Sequence, residues 1–237
     1  MVIEEIAGVI LARSTKSVEL AAQNLANMTT AGYKAKRKSF PAVEIAQFAT
    51  GWSAVGDNAS ELSIDFSAGK LQKTGDPLDL AISSNGFFSV RSGGSVLYTR
   101  SGQFQRDGEG HLVTSNGAVL QSSNGDLAID NDDFTVLPDG TIQQGGQPVA
   151  QIAVVDFDDK SILRSVGQGL FAAPAHSVAR EVSAPQMQQG MIETSNVSTA
   201  EEMTSLMMGV RSAETGQRVV QTYDDLMSQV LTTFGQR

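Results

Sequence analysis

His111 and His176 are the only imidazoles in the chain, and neither stands at zinc-ligand spacing from a second histidine or a suitable carboxylate cluster. Two acidic runs, Asp130-Asn131-Asp132-Asp133 and Asp156-Phe157-Asp158-Asp159, carry the oxygens that Ca²⁺ prefers. Neither has the loop pattern and terminal Glu of a calcium loop, and both read as solvated loops. Gly69-Lys70 is followed by Leu71 and lacks the upstream glycine of a phosphate-binding loop. Gly108-Glu109-Gly110 falls in a turn with no third glycine, and no Gly-x-Ser-x-Gly elbow is present. Paired carboxylates for sugar chemistry come with no aromatic platform. No catalytic, cofactor-binding or metal-binding residue is therefore assigned, no cofactor is expected, and the chain is read as a non-enzyme.

Composition narrows the class further. A chain of 237 residues with 41% apolar content and a mean hydropathy of −0.11 can bury one or two ordinary cores. Its 23 glycines and 6% aromatics suit a β domain with frequent tight turns and no large aromatic pocket. A net charge of −9 argues against nucleic acid, whose binding depends on neutralising phosphates. Cysteine is absent, so disulfides and thiol chemistry are excluded. No apolar run approaches the roughly 20 residues of a membrane helix, so no membrane insertion is expected. Met1-Val2-Ile3-Glu4-Glu5 lacks the basic start of a secretory signal. Any export is expected to leave the N-terminus uncleaved.

With chemistry set aside, the pattern that dominates lies at the two ends. Met203, Leu206, Val210, Ala213, Val220, Met227, Leu231 and Phe234 recur at spacings of three and four, interrupted by Gln217 and Asp224. A weaker version opens the chain with Ile3, Ile6, Ile10 and Leu20, interrupted by Arg13, Ser17 and Asn24. Such alternation keeps one narrow stripe facing a partner helix. Residues 2 to about 27 read as one helix, stopped by Thr29-Thr30-Ala31-Gly32. Asn196 or Ser198 can cap the last helix, with Glu201 completing a capping box.

Between the helices the signals are those of strands and turns. Lys34, Lys36 and Lys38 alternate on one face of an extended stretch, either meeting an acidic neighbour or, as the favoured reading, forming a solvated cationic edge. Residues 40–75 look irregular. Asp76 to Ile82 opens a body in which Asn85-Gly86, Gly93-Gly94, Asp107-Gly108, Asn116-Gly117, Asn124-Gly125, Asp139-Gly140 and Gly145-Gly146 supply turns. Phe87 to Val90, Phe134 to Leu137 and Ala153 to Phe157 lie between them as strands. The expected fold is α+β, with terminal helices forming a coiled-coil-like inner part and a central β-rich, hairpin or barrel-like domain. The boundaries are 1–32 for the first assembly helix, 33–75 for an extended link, 76–183 for the body, 184–197 for a return strand and 198–237 for the last assembly helix.

Three separated motifs resemble one family. Asn24-Leu25-Ala26-Asn27 followed by Thr29-Thr30-Ala31-Gly32-Tyr33-Lys34 is similar to the N-terminal signature of bacterial flagellar rod and hook proteins. The stretch Gly75 to Phe88, with Tyr98-Thr99-Arg100-Ser101-Gly102-Gln103-Phe104, resembles the opening of that family's β domain. Gln189 to Val197 and Glu201-Glu202-Met203 resemble its return strand and closing helix. Thr215-Gly216 departs from the bulkier residues found there in the family. Length and the single proline, Pro41, between residues 40 and 75 resemble the proximal-rod type, with the distal-rod type as the alternative.

The resemblance implies a structural subunit of the basal-body rod, crossing the periplasm, that polymerises into a tubular drive shaft transmitting torque to hook and filament. It implies partners in copies of itself, in other proximal and distal rod proteins and in the flagellar type III export apparatus. The assembly interface is expected at Ile3, Ile6, Ile10, Leu20, Asn24, Leu25, Asn27, Met203, Leu206, Val210, Ala213, Val220, Met227, Leu231 and Phe234. An Asn at such a seam can fix register at some cost in stability. From another class, a secreted β-rich binding or adhesin-like protein would remain a monomer.

Overall fold

The computed structural model describes residues 2–39, 61–129 and 134–234. Its elements fall into two compact units. The first comprises residues 1–27, 36–62 and 197–237, and the second comprises 28–35 and 63–196.

The first unit is helical. Helix α1 spans Val2–Ala26 and helix α2 spans Thr199–Phe234. Helix α2 runs without a break through Thr215-Gly216, where the Thr215 hydroxyl donates to the Arg211 carbonyl at 2.9 Å. The helices lie antiparallel: Asn24 meets Glu202, Val18 faces Gly209, and the Ser14 and Ser212 hydroxyls are 2.9 Å apart. A short ribbon pairs Lys36–Ser39 with Glu61–Ile64.

The second unit is built of antiparallel strands. Its largest sheet has ten strands, whose main path runs Arg164–Gly167, Leu170–Ala172, Ser95–Thr99, Phe87–Ser92, Val119–Ser122, Leu112–Thr114 and Phe104–Arg106. Gly93-Gly94 joins the central hairpin, in which Ser92 faces Ser95 and Phe88 faces Thr99. Both glycines have positive φ, the conformation that tight hairpin turns need. Phe134–Val136, Thr141–Gln144 and Gln147–Gln151 form a three-stranded sheet. The return segment splits into Met187–Gln189, paired with Leu80–Ile82, and Met191–Glu193, paired with Leu71–Lys73.

Strand alternation divides the core. Phe88 and Val90 enter a large cluster with Leu80, Leu112, Leu120 and Ile142. Phe87 points the other way, to Phe157, Leu163 and Phe171. Phe66 lies edge-on to Phe87 and Phe171 at 5.5 and 5.2 Å between ring centres, a favourable aromatic geometry.

Two parts of the expected fold class are corrected. Two terminal helices and a β-rich centre are present, but no extended coiled coil forms among the described residues. Ser14, Ala21, Gly209, Ala213 and Gly216 stand among the covered positions of the helix pair, and their small side chains break any continuous run of large knobs. The large sheet is no closed barrel either, because its path ends at Arg164–Gly167 and Phe104–Arg106.

Candidate assembly interface

The face that α2 turns to α1 is set by side-chain size. Its covered positions are Glu202, Leu206, Gly209, Ala213, Gly216, Val220 and Tyr223, alternating four and three apart. Facing them on α1 are Ile10, Ser14, Ser17, Ala21 and Asn24, with the same alternation. A Cβ at Gly209 would stand 2.7 Å from Val18 Cγ2 and 3.5 Å from the Ser14 carbonyl, so glycine is what lets the backbones approach. Leu206, Ala213 and Val220 belong to both the expected and the observed stripe. Between them, Glu202, Gly209, Gly216 and Tyr223 take the places that the three-four spacing assigns to Met203, Val210, Gln217 and Asp224.

The displaced apolar residues remain exposed. At about 3.6 residues per turn, Met203, Met207 and Val210 fall on one flank of the covered stripe, and Met208, Val219 and Leu226 fall on the other. All six are exposed. Met227, also expected at the interface, is exposed as well. On α1, Leu20 and Asn24 are buried, while Ile10, Leu25 and Asn27 are half-buried. The side chains of Ile3, Ile6, Leu231 and Phe234 lie outside the described residues.

Asn24 has a defined task in this unit. Its amide nitrogen donates to the Lys36 carbonyl at 2.9 Å and to Glu202 Oε1 at 3.1 Å, and its oxygen accepts from the Lys36 N–H at 2.9 Å. The side chain thus satisfies both backbone groups of Lys36, as a neighbouring strand would. Arg37 reaches Glu201 at 3.4 Å and Glu202 at 3.7 Å. Lys38 donates to the Arg13 carbonyl at 2.8 Å. Burial pushes the Lys38 ammonium below its usual range, with Arg13 and Lys16 adding to the effect.

In the second unit the three motifs of the family resemblance meet at one carboxylate. Glu193 is buried, and its Oε1 accepts from Lys34 Nζ at 2.6 Å and from the Gly69 N–H at 2.7 Å. Arg100 Nε lies 3.6 Å from Glu193 Oε2. Its guanidinium donates to the carbonyls of Ile82 at 3.1 Å and Ser84 at 2.8 Å, and stands 5.7 Å from the Phe87 ring centre. Burial pushes both cations below their usual range, and the Glu193 charge opposes it. Gly32, at φ +66°, donates its N–H to the Glu193 carbonyl at 2.7 Å, and a side chain there would overlap the backbone of Arg100 and Ser101. Lys34 is therefore no solvated edge residue. It precedes the strand that holds Lys36 and Lys38, and it is an interior ion-pair partner.

Asn196 does not cap α2. Its amide accepts from the Ala35 N–H at 2.8 Å and donates to the Asp65 carbonyl at 2.8 Å. The candidate chemistry is likewise spent on structure. His111 lies 3.3 Å from Asp107 within a turn. Asp156, Asp158 and Asp159 diverge to Lys160, Arg180 and the Ser161 N–H. The run Asp130–Asp133 lies outside the described residues. No group of side chains suited to holding a metal ion occurs among the described residues, nor does a helix long and apolar enough to cross a membrane.

Comparison with known proteins gives these features a context. The flagellar basal-body rod protein FlgF of Caulobacter vibrioides is 31% identical over 229 residues, spanning 93% of this chain and 92% of that protein. The chain belongs to the flagellar basal-body rod proteins of FlgF/FlgG type. FlgG of Bacillus subtilis is 28% identical over 247 residues, covering 90% of this chain and 92% of FlgG. FlgG of Borreliella burgdorferi is 29% identical over 240 residues, covering 89% and 90%. Residues 81–144 match the flagellar hook protein FlgE/F/G D1 domain, and residues 188–233 match the flagellar basal body rod FlgEFG protein C-terminal family. Arg100 falls in the first match, and Glu193 with most of α2 falls in the second. The rod protein is thus a structural subunit located in the basal-body rod, in a family of structural components that assemble with other basal-body proteins.

Several residues of this rod protein escaped the sequence reading. Gly209 and Gly216 stand seven apart, with Glu202 and Tyr223 continuing the interval on either side. The two glycines mark a close helix contact, but a search for apolar positions passes over them.

Proposed function

We propose that this rod protein is of the proximal, FlgF-like type and polymerises through its terminal helices into the tubular shaft that carries motor torque to the hook. The observation that carries the reading is the pair of exposed apolar flanks on α2. Helix α1 covers the stripe between them, which leaves Met203, Met207 and Val210 on one side and Met208, Val219 and Leu226 on the other for two further neighbours. Contacts of this kind add subunits head to tail in an open helical array. The 1–32 and 198–237 segments then serve assembly. Within the expected interface, Met203, Val210 and Met227 face neighbouring subunits, whereas Leu206, Ala213 and Val220 hold the chain's own helix pair. Chain length and the single proline between residues 40 and 75 favour the proximal over the distal, FlgG-like type. The chain is exported by the flagellar type III apparatus, binds no nucleic acid and catalyses no reaction.

Val210→Asp and Val219→Asp test the reading, one on each flank. A charge buried without a partner costs several kcal/mol, and a helical array repeats that cost in every subunit. Each variant is expected to keep the monomer's circular dichroism, lose concentration-dependent growth in sedimentation, and fail to restore swimming. Asp158→Ala removes an exposed pair worth about 0.2–1 kcal/mol and should assemble normally. Restoration of swimming to a strain lacking FlgF, and not to one lacking FlgG, is the outcome expected of the proximal type. A wild-type chain that stays monomeric at every concentration would instead favour the secreted binding protein.

A further inference from the structure

We infer that Met203, Met207 and Met208 form an oxidation site whose modification by hydroperoxides blocks self-assembly of the free subunit; this rests on the proposed role of α2 in polymerisation. The chain has no cysteine, so thioethers are its only sulfur. They span a range of environments, with Met28 and Met227 at 42% and 45% exposure and Met191 half-buried. Met187 is 3% exposed within the core of the body, whereas Met203, Met207 and Met208 are 49%, 61% and 66% exposed within six residues of one helix. Met203 and Met207, four apart, share one apolar flank, and Met208 stands on the other, so the modification reaches both surfaces at once.

The reaction is a two-electron oxygen transfer. The sulfur lone pair attacks the terminal oxygen of the hydroperoxide, an S–O bond forms, the O–O bond breaks, and the departing oxygen leaves as an alcohol, or as water from hydrogen peroxide, after taking up the proton. Sulfur is oxidised to the sulfoxide and the peroxide is reduced. The product is polar and chiral where the flank offers an apolar, adaptable surface, a change known to disrupt methionine-rich contacts, and sulfoxide reductases reverse it. A neighbour packed on the flank shields the sulfur, so assembled subunits are protected and free ones are sensitive.

The test uses the full-length chain, kept dilute and treated with hydrogen peroxide, then mapped by peptide mass spectrometry and concentrated for sedimentation. Met203, Met207 and Met208 are expected to gain oxygen several-fold faster than Met187, and the treated chain to lose most of its assembly. Sulfoxide reductase should restore that assembly. The variant Met203→Leu/Met207→Leu/Met208→Leu/Met227→Leu should lose no further assembly on peroxide treatment, measured against its own untreated sample. Equal oxidation of Met187 overturns the site, and unimpaired assembly of the oxidised chain overturns the switch. Loss of assembly in the peroxide-treated Leu variant overturns it too. If untreated wild type fails to assemble, the proposed polymerisation falls and the switch with it, while the peptide map still decides whether the site exists.

Discussion

At the scale of single residues, the body depends on one carboxylate serving two cations. Lys34 and Arg100 are both buried against Glu193, so removing the carboxylate strands two charges, whereas removing Lys34 leaves Glu193 its Arg100 partner. Breaking a buried pair by deleting one member typically costs about 3–5 kcal/mol. Glu193→Gln is expected to lower the urea-unfolding free energy by about that much, and Lys34→Met by clearly less. Equal losses would mean that Arg100 contributes nothing to holding Glu193. The sequence left open a contact with some acidic neighbour but carried no sign of which one. Lys34 alternates with Lys36 and Lys38 and looks like one more solvated cation, while its partner lies 159 residues away. The three family motifs were legible as separate words, and only the fold brings them to one carboxylate.

At the scale of elements, α2 was legible in length and periodicity but its facing was not. Apolarity favours Met203 and Val210 over Glu202 and Gly209, yet a close antiparallel contact selects for small size, which puts glycine inside and methionine outside. The difference is testable. Gly209→Leu would force side-chain atoms into Val18 and Ser14, and overpacking of this kind costs about 1–3 kcal/mol. Among the described residues none comes within 4 Å of where a side chain at Gly8 would begin, so Gly8→Ala should gain up to about 1 kcal/mol from helix propensity alone. Thermal melts of helical ellipticity should therefore move in opposite directions for the two variants. A stabilised Gly209→Leu would show that the helices are not in close contact. Turns of the body were readable because Gly93-Gly94 and Gly145-Gly146 must take positive φ in short hairpins. The order of the large sheet was not, because Val154–Asp156 pairs with Phe87–Ser92 across more than sixty residues that carry no trace of the match.

At the scale of the whole molecule, the chain enters the body twice and leaves it twice. Residues 28–35 and 63–75 come in from one side of the sequence and 184–196 from the other, bringing Lys34, Phe66 and Glu193. A fragment spanning 28–196 is expected to unfold in one cooperative transition. A fragment limited to 76–183 lacks the strand Met187–Gln189 beside Leu80–Ile82 and leaves Arg100 without its carboxylate. It should unfold at lower urea concentration or fail to fold, as followed by circular dichroism, and equal midpoints for the two fragments would contradict this account.

The pairing of Leu80–Ile82 with Met187–Gln189 also carries a consequence for timing. A ribosome delivers residue 80 long before residue 187, and a buried strand without its neighbour is a bare edge that invites pairing with other chains. Every nascent copy passes through that interval, and a chain interrupted before residue 187 never leaves it. Premature termination shortly before codon 187 should therefore yield aggregates rather than a shortened subunit with an intact body.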